Sequence, residues 1–338
     1  MNQVSRGSTS LTAEVRETLY YKLRERGATS LLKVGALIRE PLETWRRVRL
    51  RHQYLSRIPS PATQMDWKKG YARIEPGYFG DFEGVAALCE RLFQVKRAKI
   101  EQEVADVSTW TDQERQKFQS TKRKFLRNLL SNDDLRRNPE FVDFALDDAT
   151  LGLATDYLGT LPYLHRVDLL YSLPRENDDQ IASQLFHVDP EGLTQVKFFI
   201  NIFEIGDAEG PFTFIPADET KRILKDIRVL RRKRGKPHVG RYTDEEIAAV
   251  GGRDSVIQIK GPRGAGVAID TSRCLHMGSR VRPGAFRLCI YLQYCTTREA
   301  TNAFDVKRFK TDSVRYLAVK HSVRPVSSEV AAPHQMDA

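Results

Sequence analysis

The sequence predicts an α+β protein in which a helical N-terminal region packs on an all-β core of the sandwich or barrel type. Over much of the first 160 residues, apolar positions recur with a helical period. From about residue 166 onward, short segments rich in Val, Ile, Phe and Tyr are separated by Gly, Pro and Asp turns. Even spacing of short strands without long helices between them favours a sandwich or barrel over a parallel α/β sheet.

Residues 1–165 form the predicted helical N-terminal region. Helical patterns precede and follow residues 59–80, a segment rich in Pro, Gly and aromatic residues that is expected to form a loop. The second pattern, Asp81–Glu103, carries an apolar stripe that runs from Val85 to Val95. We expect this stripe to face the rest of the fold.

Residues 166–300 form the predicted β core. Its strands are expected in the segments VDLLYSLP, TQVKFFINIFEI, FTFIP, DSVIQIKG, GAGVAID and FRLCIYLQYCT. Residues 217–250 interrupt them as a basic, helical insertion, which is expected to act as a lid because such segments can close a reactive site to water. Residues 301–338 form a C-terminal extension of mixed helical character.

The charge of the chain is positive and unevenly spread. Lys and Arg number 54 against 44 Asp and Glu, which gives a formal charge of +10, and the excess is greatest in Lys221–Arg241. Such a surface suits an anionic partner, such as a phosphorylated or carrier-linked small molecule, although solvated helix faces are the favoured explanation. No helix-turn-helix or zinc-finger motif accompanies the charge, so a nucleic acid is not indicated. The sequence does not specify the oligomeric state.

Cysteine usage and hydropathy indicate the compartment. The four cysteines form no CxxC pair, and three fall in the predicted strand region, where a free Cys behaves as a small apolar residue. The longest apolar runs, such as Phe198–Ile200, are too short to span a bilayer. We therefore expect a reduced, cytoplasmic protein with no membrane partner.

A metal-binding pattern stands out in the core. His187 and Asp189 are two residues apart, and His276 follows 89 residues after His187. Side chains at i and i+2 of a strand point the same way, so His187 and Asp189 can bind one ion, with His276 as a third ligand from a distant strand. Two imidazoles and one carboxylate, with open positions opposite, suit Fe(II) that must also bind a co-substrate and O₂.

An arginine lies at a suggestive distance from the third ligand. Arg287 is eleven residues beyond His276 and opens the predicted strand FRLCIYLQY. A guanidinium there can form a bidentate pair with the distal carboxylate of a dicarboxylic acid such as 2-oxoglutarate.

The stretch Phe186–Thr297 resembles the phytanoyl-CoA dioxygenase family of Fe(II)/2-oxoglutarate-dependent oxygenases. The resemblance is carried by FHVD, VKFFINIFEIGDAEGPFTFIP, GAGVAIDTSRCLHMGS and FRLCIYLQYCT. It implies a double-stranded β-helix, or jelly roll, with His187, Asp189 and His276 as iron ligands and Arg287 as the 2-oxoglutarate clamp. It also implies a dioxygenase that consumes O₂ and releases succinate and CO₂. Related halogenases lack the carboxylate ligand, so Asp189 favours hydroxylation or desaturation.

Four further residues are candidates for cofactor binding. Lys197 lies in an apolar strand and needs a partner or a route to solvent, so it either meets an anionic ligand or points outward. Gln184 could donate to a bound carboxylate or remain an exposed turn amide. Tyr171 could line the pocket or serve as strand packing. Ser279 could supply a hydroxyl contact to the co-substrate.

Two other classes of function fit part of the pattern. A jelly-roll hydrolase or isomerase could use the same triad to hold a different metal and activate water, without a need for Arg287. A non-catalytic protein could use its basic face for binding, and its function would then survive loss of His187.

Overall fold

The computed structural model describes residues 41–60, 62–105, 125–174, 182–189, 194–235, 240–296, 298–320 and 322–323. The helical pattern predicted before residue 41 and the end of the C-terminal extension lie outside these residues. The α-helices within them are α1 (Pro41–Leu55), α2 (Phe82–Ala105), α3 (Asn132–Arg137), α4 (Glu140–Ala145), α5 (Asp148–Leu158), α6 (Ala217–Lys233), α7 (Asp244–Ala249) and α8 (Ser313–Val319).

The strands of the described residues are short, as the sequence predicts. They are β1 (Tyr71–Ile74), β2 (Leu126–Asn128), β3 (Tyr163–Ser172), β4 (Gln195–Asn201), β5 (Phe212–Ile215), β6 (Ile257–Ile259), β7 (Gly266–Ile269), β8 (Leu275–Met277), β9 (Arg287–Cys295), β10 (Glu299–Ala300) and β11 (Ser322–Val323).

Two antiparallel sheets form the core. The main sheet has the strand order β1-β7-β4-β9-β3-β2, and the smaller sheet has the order β6-β5-β8. Phe199 and Val267 of the main sheet pack with Phe212 of the smaller sheet in one apolar cluster. Two facing antiparallel sheets of this kind are compatible with the predicted jelly roll.

The main sheet has one face toward the helices and one toward the smaller sheet. In β4, Phe198 belongs to the large cluster that includes the helices, whereas Phe199 packs between the sheets. Successive side chains of a strand alternate, so Lys197 shares the inward face with Phe199. The register with β9 places Tyr291 opposite Phe199, which puts Tyr291 on the inward face as well.

The N-terminal region contributes strands as well as helices. β1 pairs with β7 and β2 pairs with β3, so both edges of the main sheet come from residues before 166. This corrects the expectation that residues 59–80 form only a loop and that the region is wholly helical. Edge strands of three or four residues carry little pattern of their own, because their state depends on the strand they pair with.

Helix α2 lies close to its predicted position, and most of the predicted stripe faces the core. Val85 and Leu88 are buried, and Leu92 packs against the same apolar cluster. Val95, at the end of the stripe, is 72% exposed, and the buried face continues through Phe93 instead.

The insertion forms helices α6 and α7, and it packs behind the strands that carry the predicted ligands. Ile223 and Ile227 of α6 share an apolar cluster with Phe186 and Met277. Those two residues are sequence neighbours of His187 and His276, so their side chains point to the opposite side of the strands. The described parts of the insertion therefore support the ligand strands, and the role of the insertion as a lid stays a prediction.

The cysteines and the hydropathy of the helices bear on the remaining expectations. All four cysteines are buried and free of disulfides. Among the described residues, none of the helices combines the length and the apolar character needed to cross a membrane.

Gly210 explains the Gly-Pro pair that precedes β5. Its φ of +68° lies in the left-handed region, and a Cβ atom there would lie 2.7 Å from the backbone of Arg280. We expect Gly210→Ala to lower the free energy of unfolding by about 2–3 kcal/mol, because strain and a backbone clash combine.

Gly159 is the matched control for this prediction. Its φ is +69°, but a Cβ atom would meet nothing within 4 Å. Urea denaturation of both alanine variants should therefore show a loss of only about 1 kcal/mol for Gly159→Ala. Equal losses at the two positions would contradict the steric part of the explanation.

Candidate metal centre

The structure brings His187, Asp189 and His276 together. One ligand atom from each lies within 4.8 Å of the others. The Nε2 atom of His187 is 3.6 Å from Oδ1 of Asp189, and the Nε2 atom of His276 is 3.4 Å from Oδ2 of the same carboxylate. Three neighbouring donor atoms of these types could hold one divalent ion on one face and leave the opposite positions open.

Backbone pairing positions the ligands. His187 and His276 face each other across an isolated antiparallel bridge, in which each amide donates to the other residue's carbonyl at 2.8 Å. The Asp189 amide donates to the carbonyl of Thr271 at 2.9 Å. The segment His187–Asp189 therefore extends the smaller sheet beside β8, and the i, i+2 spacing turns both side chains inward.

Both imidazoles are oriented through their Nδ1 atoms. Nδ1 of His187 lies 2.9 Å from the carbonyl of Leu185, and Nδ1 of His276 lies 3.1 Å from the carbonyl of Cys274. A carbonyl only accepts, so each Nδ1 carries a proton, and each Nε2 is the nitrogen that is turned toward Asp189. The Phe212 ring stacks beside His276 at 5.8 Å between centroids and limits its rotation.

Electrostatics keep His187 and Asp189 in the forms that bind metal. Burial, reinforced by the neighbouring His276, lowers the pKa of His187 to about 3, so its imidazole is neutral near pH 7. Burial by itself would raise the pKa of Asp189, but Lys197 and the two histidines outweigh it and hold that pKa well below its usual value. The centre therefore offers the neutral imidazole of His187 and the carboxylate of Asp189, with His276 as the third donor.

Lys197 points inward and pairs with a ligand. Its Nζ atom lies 2.6 Å from Oδ2 of Asp189, and the residue is 6% exposed. Of the two alternatives for Lys197, the inward orientation is therefore the one observed. Its partner in the structure is a predicted metal ligand.

Arg287 is buried at the start of β9, with 4% of its surface exposed. Its guanidinium carbon lies 6.0 Å from the Phe199 ring centroid, and Phe199 in turn stacks on Phe212, the neighbour of His276. Its Nε atom has no hydrogen-bond partner, and no described carboxylate forms an ion pair with it. A buried guanidinium of this kind is costly unless an anion binds to it, so the residue fits a bound carboxylate.

Gln184 and Ser279 lie opposite each other at the end of the ligand-bearing pair. Both are buried, and the side chain of Gln184 donates to the Ser279 carbonyl at 3.4 Å. Arg280 connects them to the insertion, because its guanidinium donates to the Gln184 carbonyl and to the carboxylate of Asp244 in α7. This network links α7 to the segment that precedes His187.

Tyr171 is not brought to the metal centre. It is buried in the large cluster on the helix side of the main sheet, and its ring contacts Phe93 of α2 at 5.0 Å and Phe286 at 6.0 Å. Ser172 and Asp168, at odd spacing from Tyr171, take the inward positions of β3. Of its two predicted roles, the packing role is the one the structure supports.

Sequence reasoning missed a row of polar side chains beside the centre. Arg166, Gln293 and Lys197 stand in register across β3, β9 and β4. Tyr291 donates to Oε1 of Gln293 at 2.9 Å, and Nε2 of Gln293 donates to Oε1 of Gln195 at 2.6 Å. The buried Nε2 atom of Gln195 has no partner. Alternating polar residues in FRLCIYLQYCT were the signal for this inward wall.

Comparison with known proteins yields structural similarities only. No family model matches the sequence, and no curated protein sequence does either.

Solved structures that are similar include EctD from S. alaskensis with 2-oxoglutarate and 5-hydroxyectoine, at 16% identity and a TM-score of 0.42 over 70% of this chain and 75% of that one. HygX from Streptomyces hygroscopicus with nickel and 2-oxoglutarate matches at 15% identity and a TM-score of 0.38 over 75% and 93% of the two chains. The non-haem α-ketoglutarate-dependent carbocyclase SnoK from nogalamycin biosynthesis matches at 14% identity and a TM-score of 0.39, over 71% of this chain and 85% of that one. Likenesses at this level carry no argument about activity, and membership of the phytanoyl-CoA dioxygenase family stays a prediction.

Proposed function

We propose that the protein is a non-haem Fe(II) enzyme that uses 2-oxoglutarate and O₂ to oxidise a small organic substrate. The observation that carries the proposal is the presence, in one sandwich, of the His187, Asp189 and His276 cluster and of a buried Arg287 whose Nε atom has no hydrogen-bond partner among the described residues. His187 and His276 would hold iron through Nε2, and Asp189 would supply the carboxylate.

Bound iron would supply the activation of O₂ and the oxidative decarboxylation of 2-oxoglutarate to succinate and CO₂. The chain's own residues bind and orient. The carbonyls of Leu185 and Cys274 keep the protons of both imidazoles on Nδ1, which leaves the lone pairs aimed at the ion. Arg287 would bind the distal carboxylate of 2-oxoglutarate and set its direction relative to the centre.

Arg287 also favours the oxygenase over a metal-dependent hydrolase. A hydrolase needs the metal, a bound water and a base, but it has no use for a buried cation that lacks an anion. A purely non-catalytic role leaves both the preformed metal cluster and Arg287 unexplained. The presence of Asp189 further favours hydroxylation or desaturation of the substrate.

The inward wall supports a polar substrate. Arg166, Gln293, Lys197 and Tyr291 make the wall of the main sheet beside the centre polar, and hydrogen-bonding groups of a ligand match such a wall better than a hydrocarbon chain does. A molecule with several hydrogen-bonding groups, phosphorylated or carrier-linked forms included, therefore fits better. The protein would then act on a small polar molecule in the cytoplasm.

The test is an anaerobic titration of metal-free protein with Fe(II) and then with 2-oxoglutarate. We expect a saturable visible charge-transfer band from the chelate, which requires no knowledge of the substrate. Fe(II) binding without the band would contradict the oxygenase and favour a metal-dependent hydrolase. Absence of Fe(II) binding would contradict any metal-dependent activity at this site.

A further inference from the structure

Lys197 makes an unusual contact for a residue next to a metal centre. Its ammonium lies 2.6 Å from Oδ2 of Asp189, while Oδ2 is also the carboxylate oxygen nearer to Nε2 of His276, at 3.4 Å. The side chain of Lys197 is 7% exposed and that of Asp189 is 15% exposed. The pair is therefore a short, largely buried ion pair that involves a metal ligand directly.

The position of Lys197 follows from the sheet. It is an inward residue of β4, in register with Gln293 of β9, and its Nζ atom lies 5.8 Å from the Tyr291 ring centroid. Tyr291 and Gln293 are hydrogen-bonded to each other, so the surroundings of the lysine stem are ordered. The ammonium is thus held at the carboxylate by the strand and its neighbours.

A divalent ion and the lysine would share one carboxylate. An ion held by both imidazoles must bind an oxygen of Asp189, and the ammonium already neutralises that group. Two cations on one buried carboxylate repel each other strongly, because screening there is weak. The metal-free state, by contrast, is stabilised by the lysine, since an unpaired buried carboxylate between two imidazoles is costly.

We propose that Lys197 is a positioning residue that acts as a stand-in cation: it neutralises Asp189 in the metal-free protein and competes with the incoming metal ion. This inference rests on the metal site of the proposed function. Lys197 preserves the ligand geometry before loading and lowers the affinity of the site for divalent ions. Loading then places a second cation on the carboxylate that the ammonium already neutralises, whether the ion binds Oδ1 or Oδ2.

Neutral substitutions separate this role from simple support of the ligand. We expect Lys197→Met and Lys197→Gln to lower the melting temperature of the metal-free protein and to tighten binding of Mn(II) by about tenfold or more. If Lys197 only oriented the carboxylate, its loss would weaken metal binding, as loss of outer-shell partners commonly does. The two roles thus predict opposite signs.

The experiment is a titration of metal-free protein with Mn(II) alone. Binding is measured by calorimetry and by the EPR signal of free Mn(II). Wild type is compared with Lys197→Met, Lys197→Gln, the charge-conserving Lys197→Arg and the exposed control Lys225→Met. The arginine and control variants should bind Mn(II) within about threefold of wild type. Lys197→Gln decides the question if Lys197→Met fails to fold.

Unchanged or weaker Mn(II) binding in the neutral variants would overturn the inference while leaving the proposed metal site intact. If wild type binds neither Mn(II) nor Fe(II), both the proposed metal site and the inference about Lys197 are contradicted. The readout does not depend on turnover, so neither outcome requires the substrate.

Discussion

Replacing His276 with alanine is expected to abolish tight Fe(II) binding and with it all turnover. The substitution removes one of three donor atoms that lie within 4.8 Å of one another, and the remaining His187 and Asp189 cannot hold the ion alone. Loss of an outer-shell partner already costs about 10–100-fold in metal affinity, so loss of a ligand should exceed about 100-fold. Anaerobic calorimetry with Fe(II), and the visible band with 2-oxoglutarate, measure the loss.

His165 provides the control for this substitution. It is also a buried histidine, at 7% exposure, but its Nε2 atom pairs with the hydroxyl of Thr301. His165→Ala should change stability and leave Fe(II) affinity within a few-fold of wild type. Retention of full metal affinity in both His187→Ala and His276→Ala would show that the ion binds elsewhere.

Replacing Arg287 with alanine is expected to raise the 2-oxoglutarate concentration needed for half of the visible band by about 100-fold. Truncating one partner of a buried, hydrogen-bonded charge pair typically costs about 2–5 kcal/mol, and tenfold corresponds to about 1.4 kcal/mol. Fe(II) affinity without 2-oxoglutarate should remain unchanged. The 2-oxoglutarate concentration that Arg287→Lys needs should lie between those of wild type and Arg287→Ala, because lysine keeps the charge but cannot form the bidentate pair.

A co-substrate that lacks the distal carboxylate sharpens this prediction. Pyruvate presents the same keto-acid end but nothing for Arg287 to bind, so its weak binding should differ little between wild type and Arg287→Ala. The difference between the two titrations isolates the contact, as in a double-mutant cycle. An equal loss for both acids would contradict the clamp and point to a general distortion of the site.

Arg287→Met should bind 2-oxoglutarate more weakly than wild type without any loss in the free energy of unfolding. In the metal-free protein, the buried guanidinium has no carboxylate partner among the described residues. Arg287→Met replaces it with an apolar side chain of similar length. It should therefore match or exceed wild type in free energy of unfolding. A large destabilisation would indicate a structural role for Arg287.

Much of the candidate site is visible in the sequence because it depends on local spacing. His187 and Asp189 share a face through the i, i+2 rule, which holds in any extended segment. His276 and Arg287 lie on consecutive strands, β8 and β9, so a single connecting loop accounts for their separation in the sequence. The candidate metal ligands and the candidate anion site could therefore be proposed from the sequence, although only the structure brings His276 beside His187 and Asp189.

Partners across the sheet were not predictable in the same way. The sequence left open whether Lys197 points inward, because an alternating pattern divides a strand into two faces but does not show which of them faces the interior. The same ambiguity applied to Tyr171, which packs on α2 instead of the centre. The face of a strand is decided by which neighbours cover it, and those come from distant parts of the chain.

The sequence by itself predicted a β core of the sandwich or barrel type after residue 166, and it singled out His187, Asp189 and His276 as candidate metal ligands and Arg287 as a candidate anion partner. The tertiary structure decided three other matters: the edge strands β1 and β2, the support of the ligand strands by α6 and α7, and the contact between Lys197 and Asp189. Local patterns encode the period of a helix or strand and the chemistry of its residues. Which strands pair, which face of a strand is covered and which side chains are buried depend on contacts between segments far apart in the chain.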